Sequence, residues 1–137
     1  MLCKSKLLII MIEYTQNIKV LPGHIDELGH VNNIIYLKWV QETAKSHWET
    51  VASSKMQLEY LWVVLRHEID YKSEIFADDI VKTKTKVINI KGPLSKRSVE
   101  IYSNDKLAAK AITTWCLLNK TTRKPIQIPE EFAQLFL

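Results

Sequence analysis

The sequence predicts an α+β domain in which an antiparallel sheet of about five strands curls around one long helix. Three observations carry that expectation. Residues 34–51 hold the only long amphipathic pattern, with Leu37, Val40, Ala44, Trp48 and Val51 at spacings of three and four. A lone strand pattern precedes it at 12–20. After it, four stretches at 62–71, 80–90, 94–103 and 107–119 have strand character and are separated by turn residues.

Each element follows from its residues. Ile12 to Val20 reads as a first strand, stopped by Leu21-Pro22-Gly23. In the helix, Lys38, Glu42, Lys45 and Glu49 lie opposite the apolar stripe and alternate in sign at helical spacing. Ser53-Ser54-Lys55 ends the pattern, and 56–61 is a short connecting segment of unassigned type. From Trp62 to Tyr71, Val63, Leu65, His67, Ile69 and Tyr71 alternate with Arg66, Glu68 and Asp70. Lys82, Lys84 and Lys86 alternate with Val81, Thr83, Thr85 and Val87, so one face of that strand is wet, as an exposed or edge strand would be. Lys91-Gly92-Pro93 and Asn104-Asp105 are hairpin turns. Pro129 followed by Glu130-Glu131 opens a short final helix, with proline in its first turn and acids near its positive end.

The 137 residues suffice for one domain spanning 1–137 with a core that needs no staple. Three glycines and four prolines leave little room for linkers. The two cysteines, Cys3 and Cys116, have no metal-ligand spacing, which fits a reducing, cytoplasmic setting. Lys4 and Lys6 before the apolar run 7–12 imitate a signal peptide, but the run is short, lacks a small-residue cleavage site and ends at Glu13. Residues 1–11 therefore read as a dispensable extension, with Met11 an equally good start. No stretch has the ~20 apolar residues that span a bilayer. The net charge of +4 is spread over strands and turns, without a basic helix or aromatic–basic interleaving, and does not point to nucleic acid.

The stretch from His24 to Trp39 concentrates the chemistry. Asp26 stands three residues before Gly29, and Asn32-Asn33 sits where the helix begins, a natural N-cap pair. A carboxylate thus lies a few residues from the positive end of a helix. A carbonyl held between them meets a base or nucleophile on one side and N–H donors on the other. As a bare tetrapeptide, Asp-x-x-Gly is also an ordinary turn.

The pattern Asp26-x-x-Gly29-His30-Val31-Asn32-Asn33-x-x-Tyr36-Leu37 resembles the signature of hotdog-fold thioesterases, in the branch of 4-hydroxybenzoyl-CoA thioesterase. Trp62-Val63-Val64, Asp70-Tyr71, Trp115 and Thr122-Arg123-Lys124-Pro125 extend the resemblance over roughly 14–132. It implies the hotdog fold, a homodimer or homotetramer, and hydrolysis of an acyl thioester of coenzyme A or acyl carrier protein. No cofactor or metal is implied beyond coenzyme A as part of the substrate. Asp26 then serves as nucleophile or general base, backbone N–H groups near Gly29 to Asn33, among them Gly29, His30, Val31 and Asn32, hold the oxyanion, and the Asn33 side chain orients water or the thioester oxygen. Some relatives carry histidine at the position of Asn33 and many carry another aspartate at that of His24, and an amide cannot shuttle a proton.

Each candidate has a plainer structural reading. Asn33 can be an N-cap, His30 a packed loop histidine, and Tyr36 a core residue with a secondary claim on the acyl pocket. Lys91, Lys96 and Arg97, around one hairpin, are candidates for the phosphates of coenzyme A or simply a solvated turn. His47 and His67 have no companion at metal-ligand spacing and are assigned no chemistry. Two other functions remain beside hydrolysis. A dehydratase of this fold needs a histidine base with a partner acid, which no pair here matches. A non-catalytic acyl-thioester binder would keep the pocket without needing Asp26.

Overall fold

The computed structural model describes residues 12–136. The proposed extension 1–11, with Cys3, lies outside them. In chain order the elements are β1 (Tyr14–Ile18), a 3-10 turn at Pro22–His24, α1 (Asn33–Val51), α2 (Ser54–Glu59), β2 (Tyr60–Tyr71), β3 (Val81–Lys91), β4 (Leu94–Ser103), β5 (Lys106–Asn119) and α3 (Glu130–Phe136). The sheet runs β1-β3-β4-β5-β2, antiparallel throughout, and α1 packs across its concave face over β1, β3 and β4. This is the hotdog arrangement.

The expected elements are present, with four refinements. The unassigned segment after Ser53 is helix α2, capped by the Ser53 hydroxyl on the Met56 N–H at 3.1 Å, and β2 starts two residues early at Tyr60. The lysine row of β3 lies on the convex face of an interior strand. β1 covers the outer side of β3, so the edges are β1 and β2 instead. In β2 a bulge between Val64 and Arg66 turns Leu65 outward to 59% exposure and resets the alternation before His67.

The turns obey backbone sterics. Asn104 and Asp105 both take positive φ (49° and 65°), as a two-residue hairpin of type I′ demands. The helix shows where an apolar-only pattern falls short. Val40, Ala44 and Trp48 are buried as expected, but the buried face also includes Tyr36, Trp39, Thr43 and His47. Thr43 and His47 can be buried because the sheet supplies partners. Thr43 shares a 2.8 Å hydrogen bond with Thr83, and His47 accepts from Arg97 at 2.9 Å. This polar seam separates two apolar clusters. One, around the first half of α1, contains Val31, Tyr36, Trp39, Ile75 and Ile101. The other, around its second half, contains Trp48, Leu117 and Phe132, with α3 closing over it.

Candidate functional site

The loop before α1 is built by backbone bonds. Ile25 bridges Val31, the Asp26 N–H donates to His30 O, and the Gly29 N–H donates to Asp26 O, both at 3.0 Å. This is a three-residue hairpin loop with glycine at its left-handed position, Gly29 having φ 84°. A side chain there would meet no atom within 4 Å, so the requirement for glycine is conformational.

Asp26 is held by this turn and is half-buried. Its Oδ1 accepts from the Leu28 N–H at 2.9 Å, and no hydrogen bond engages Oδ2 among the described residues. The turn reading and the chemical reading therefore apply to different oxygens of one carboxylate. His24 is buried edge-on against Trp39, and its Nδ1 accepts from the Leu21 N–H at 3.0 Å. It braces the entry to the loop.

The backbone donors at the helix mouth differ from the expected set. The N–H of Gly29 is used within the turn, that of Val31 donates to Ile75 O at 2.8 Å, and that of Asn32 donates to His24 O at 2.9 Å. These three are spent on folding the loop and cannot also hold an oxyanion. Among the described residues, the N–H groups of His30 and Asn33 have no intramolecular partner. Asn33 is the first residue of α1, where an orphan donor is expected. Both lie within the stretch Gly29 to Asn33 that the sequence reading names for this role.

The two asparagines divide their work. Asn32 is the N-cap, its Oδ1 accepting from the Ile34 N–H at 3.0 Å. The Asn33 amide is exposed and makes no hydrogen bond among the described residues, while its carbonyl accepts from the Tyr71 hydroxyl at 3.2 Å. Asn33 lines a cleft of about 230 Å³ with His30, Tyr36, Tyr71, Lys72, Ser73 and Glu74. Asp26 lines neither this cleft nor the larger cavity described below. Tyr36 is 2% exposed and its hydroxyl donates to Ser73 O at 3.2 Å. Burial pushes that phenol up to about 12, so it stays protonated and serves as a wall and donor. His30 is half-buried, with Nδ1 3.2 Å from Val31 O and Nε2 3.7 Å from a Glu74 carboxylate oxygen. Lys72, at this cleft, is a cation that sequence reasoning missed. Nothing in its local pattern sets it apart from other surface lysines.

The three basic residues of the β3–β4 region do not form one cluster. Lys91 and Lys96 are exposed, but Arg97 is only 5% exposed and turns into the concave face. Its Nη1 reaches His47 Nδ1 at 2.9 Å and Thr85 Oγ1 at 3.1 Å, and its guanidinium lies 5.3 Å from the Phe136 ring centre. Arg97 is therefore not part of a surface phosphate clamp. Lys91 and Lys96 sit toward the far end of the sheet from the helix mouth: Lys91 is ten residues, roughly 33 Å, along β3 from Val81, and Lys96 on β4 pairs with Asn89. Among the described residues no group of three histidine, cysteine or acidic side chains is placed to hold a metal ion, and no helix is long and apolar enough to cross a membrane.

Among solved structures, a thioesterase from Thermus thermophilus complexed with coenzyme A and Zn is 21% identical with a TM-score of 0.79, covering 88% of this chain and 89% of that one. A DHNA-CoA thioesterase from Staphylococcus aureus is 23% identical with a TM-score of 0.78, covering 90% of this chain and 85% of that one. A predicted thioesterase from Bacillus stearothermophilus is 22% identical with a TM-score of 0.79, covering 89% and 92%. No curated protein matches the sequence. The profile of the thioesterase-like superfamily matches residues 20–136. With that match over most of its length and a hotdog sheet wrapped on α1, the chain belongs to the thioesterase-like superfamily.

Proposed function

We propose that this protein is a thioester hydrolase acting on an acyl-CoA or acyl carrier protein substrate. The observation that carries the reading is the helix mouth, where, among the described residues, an aspartate with one free oxygen sits within a few residues of two unpartnered backbone N–H groups. Asp26 Oδ2 takes a proton from water, which adds to the thioester carbon, or attacks that carbon itself and is later released by water. The N–H groups of His30 and Asn33 hold the oxyanion, helped by the positive end of α1. Collapse of the tetrahedral intermediate breaks the C–S bond and expels a thiolate. Because a thiolate leaves readily, the site needs no strong general acid. The Asn33 amide orients the water or the carbonyl. Coenzyme A takes part as substrate and product, and no separate cofactor is proposed.

The working molecule is a homodimer or homotetramer joined along β2. Among the described residues this twelve-residue edge strand has an open ladder, and it carries exposed Leu65. A two-fold antiparallel pairing sets the Tyr71 end of one copy, beside the helix mouth, against the Tyr60 end of the other. Lys91 and Lys96 of the second copy then become candidates for the coenzyme A phosphates, beside Lys72 of the first. The test offers purified protein a panel of acyl-CoAs and follows free thiol, with Asp26→Asn alongside. Release by wild type that is lost in the variant supports the hydrolase. Saturable binding without release by wild type identifies a non-catalytic binder instead.

A further inference from the structure

A cavity of about 590 Å³ lies between the outer flank of α1 and the β5–β2 side of the sheet. Trp48, Trp62, Trp115 and Tyr60 give it an aromatic wall, while its inner lining holds Ser95 and Arg97. Two features there leave N–H donors unanswered among the described residues. Arg97 is a buried guanidinium whose partners are the neutral His47, Thr85 and the Phe136 ring, and no ion pair among the described residues involves it. Burying a charge without a counter-charge is strongly unfavourable. The indole Nε1 of Trp115 is buried with no acceptor among the described residues. Arg97 pairs with Thr113 and Ser95 with Trp115, so Arg97 and Trp115 are diagonal neighbours, about 7–8 Å apart at the backbone. Both present only N–H donors, so their complement is an acceptor, and beside a guanidinium an anionic one. The rim is mixed, with Lys38, Lys45 and Lys120 against Glu42 and Glu49, and Lys38 already pairs with Glu42 at 3.9 Å.

We infer that this cavity is the acyl subsite, and that the acyl group it takes has an apolar body ending in a carboxylate bound by Arg97 and the Trp115 N–H. The inference rests on the hydrolase reading and on the two-fold pairing. Arg97 meets α1 at His47, about 21 Å along the helix from Asn33, too far for the chain's own mouth to deliver a short acyl group. The Tyr60 end of β2 lines the cavity, and the pairing places it beside the other copy's mouth.

Matched thioesters test this. Suberyl-CoA and octanoyl-CoA share a chain length and differ in a terminal carboxylate, as 4-carboxybenzoyl-CoA and 4-methylbenzoyl-CoA do in an aromatic frame. Wild type is expected to favour the carboxylate member of at least one pair by about tenfold or more in kcat/KM. Arg97→Met should bring that ratio to about one, and Trp115→Phe, which keeps the ring packing, should lower it several-fold. Preference for the methyl-ended member in both pairs, or a ratio unmoved in both variants with native melting, overturns the inference. Should Arg97→Met fail to fold, Trp115→Phe alone decides. If no thioester is cleaved, the hydrolase reading falls and the cavity is read by itself, through tryptophan fluorescence, with octanoate and 1-octanol. Octanoate bound about tenfold tighter by wild type, an advantage reduced in Trp115→Phe, keeps the carboxylate site, whereas equal binding of the two overturns it.

Discussion

Asn32 and Asn33 are adjacent and chemically identical, yet they should fail differently. Asn32→Ala removes the cap on Ile34 and should lower stability by about 1 kcal/mol. Asn33→Ala should leave the melting temperature nearly unchanged and reduce kcat by roughly ten- to a hundredfold, since its amide supports no fold contact among the described residues. Thermal melts and thiol-release kinetics on the pair separate the roles. Gly29→Ala should cost about 1 kcal/mol through its positive φ alone, with no clash to relieve. The motif Asp26 to Asn33 was legible as a unit, but not which asparagine caps or which N–H groups stay free. Those answers depend on His24 and Ile75 carbonyls, brought in by the 3-10 turn and by the chain after β2.

His47 is also a residue-scale case, and it couples the helix to the sheet. Burial, reinforced by the Arg97 charge, lowers its pKa from 6.5 to about 4. Between those values the unfolded chain binds a proton that the folded one does not. Stability is therefore full above about pH 6.5 and falls as the pH drops toward 4, by up to about 3 kcal/mol. Denaturant titrations from pH 7 to 4 should show this slope, flattened in His47→Gln, whose amide oxygen can still accept from Arg97.

At the scale of elements, the number and order of strands and the long helix were readable because alternation and turn chemistry agree, as at Asn104-Asp105. The buried face of α1 was only half legible. Counting apolar residues finds Val40, Ala44 and Trp48 and misses Thr43 and His47, whose burial depends on Thr83 and Arg97 from strands that are distant in sequence. Arg97 was misplaced for the same reason, because hairpin proximity says nothing about which face a side chain takes. β2 carries the prediction at this scale. Leu65→Lys puts a charge on the open edge and should weaken self-association at least tenfold in sedimentation equilibrium, with the monomer's circular dichroism unchanged.

For the molecule as a whole, the fold supplies a helix mouth at one end of the sheet and an aromatic cavity with an arginine lining toward the other. Pairing of two copies along β2 would join them. The central claim is that Asp26, through the oxygen its own turn leaves free, drives thioester cleavage at that mouth. Thiol release from acyl-CoAs by wild type and by Asp26→Asn, paired with acyl-CoA affinity for each, measures it most directly. A loss of at least a hundredfold in kcat with affinity unchanged is the predicted result. Undiminished release by a folded Asp26→Asn protein would contradict it.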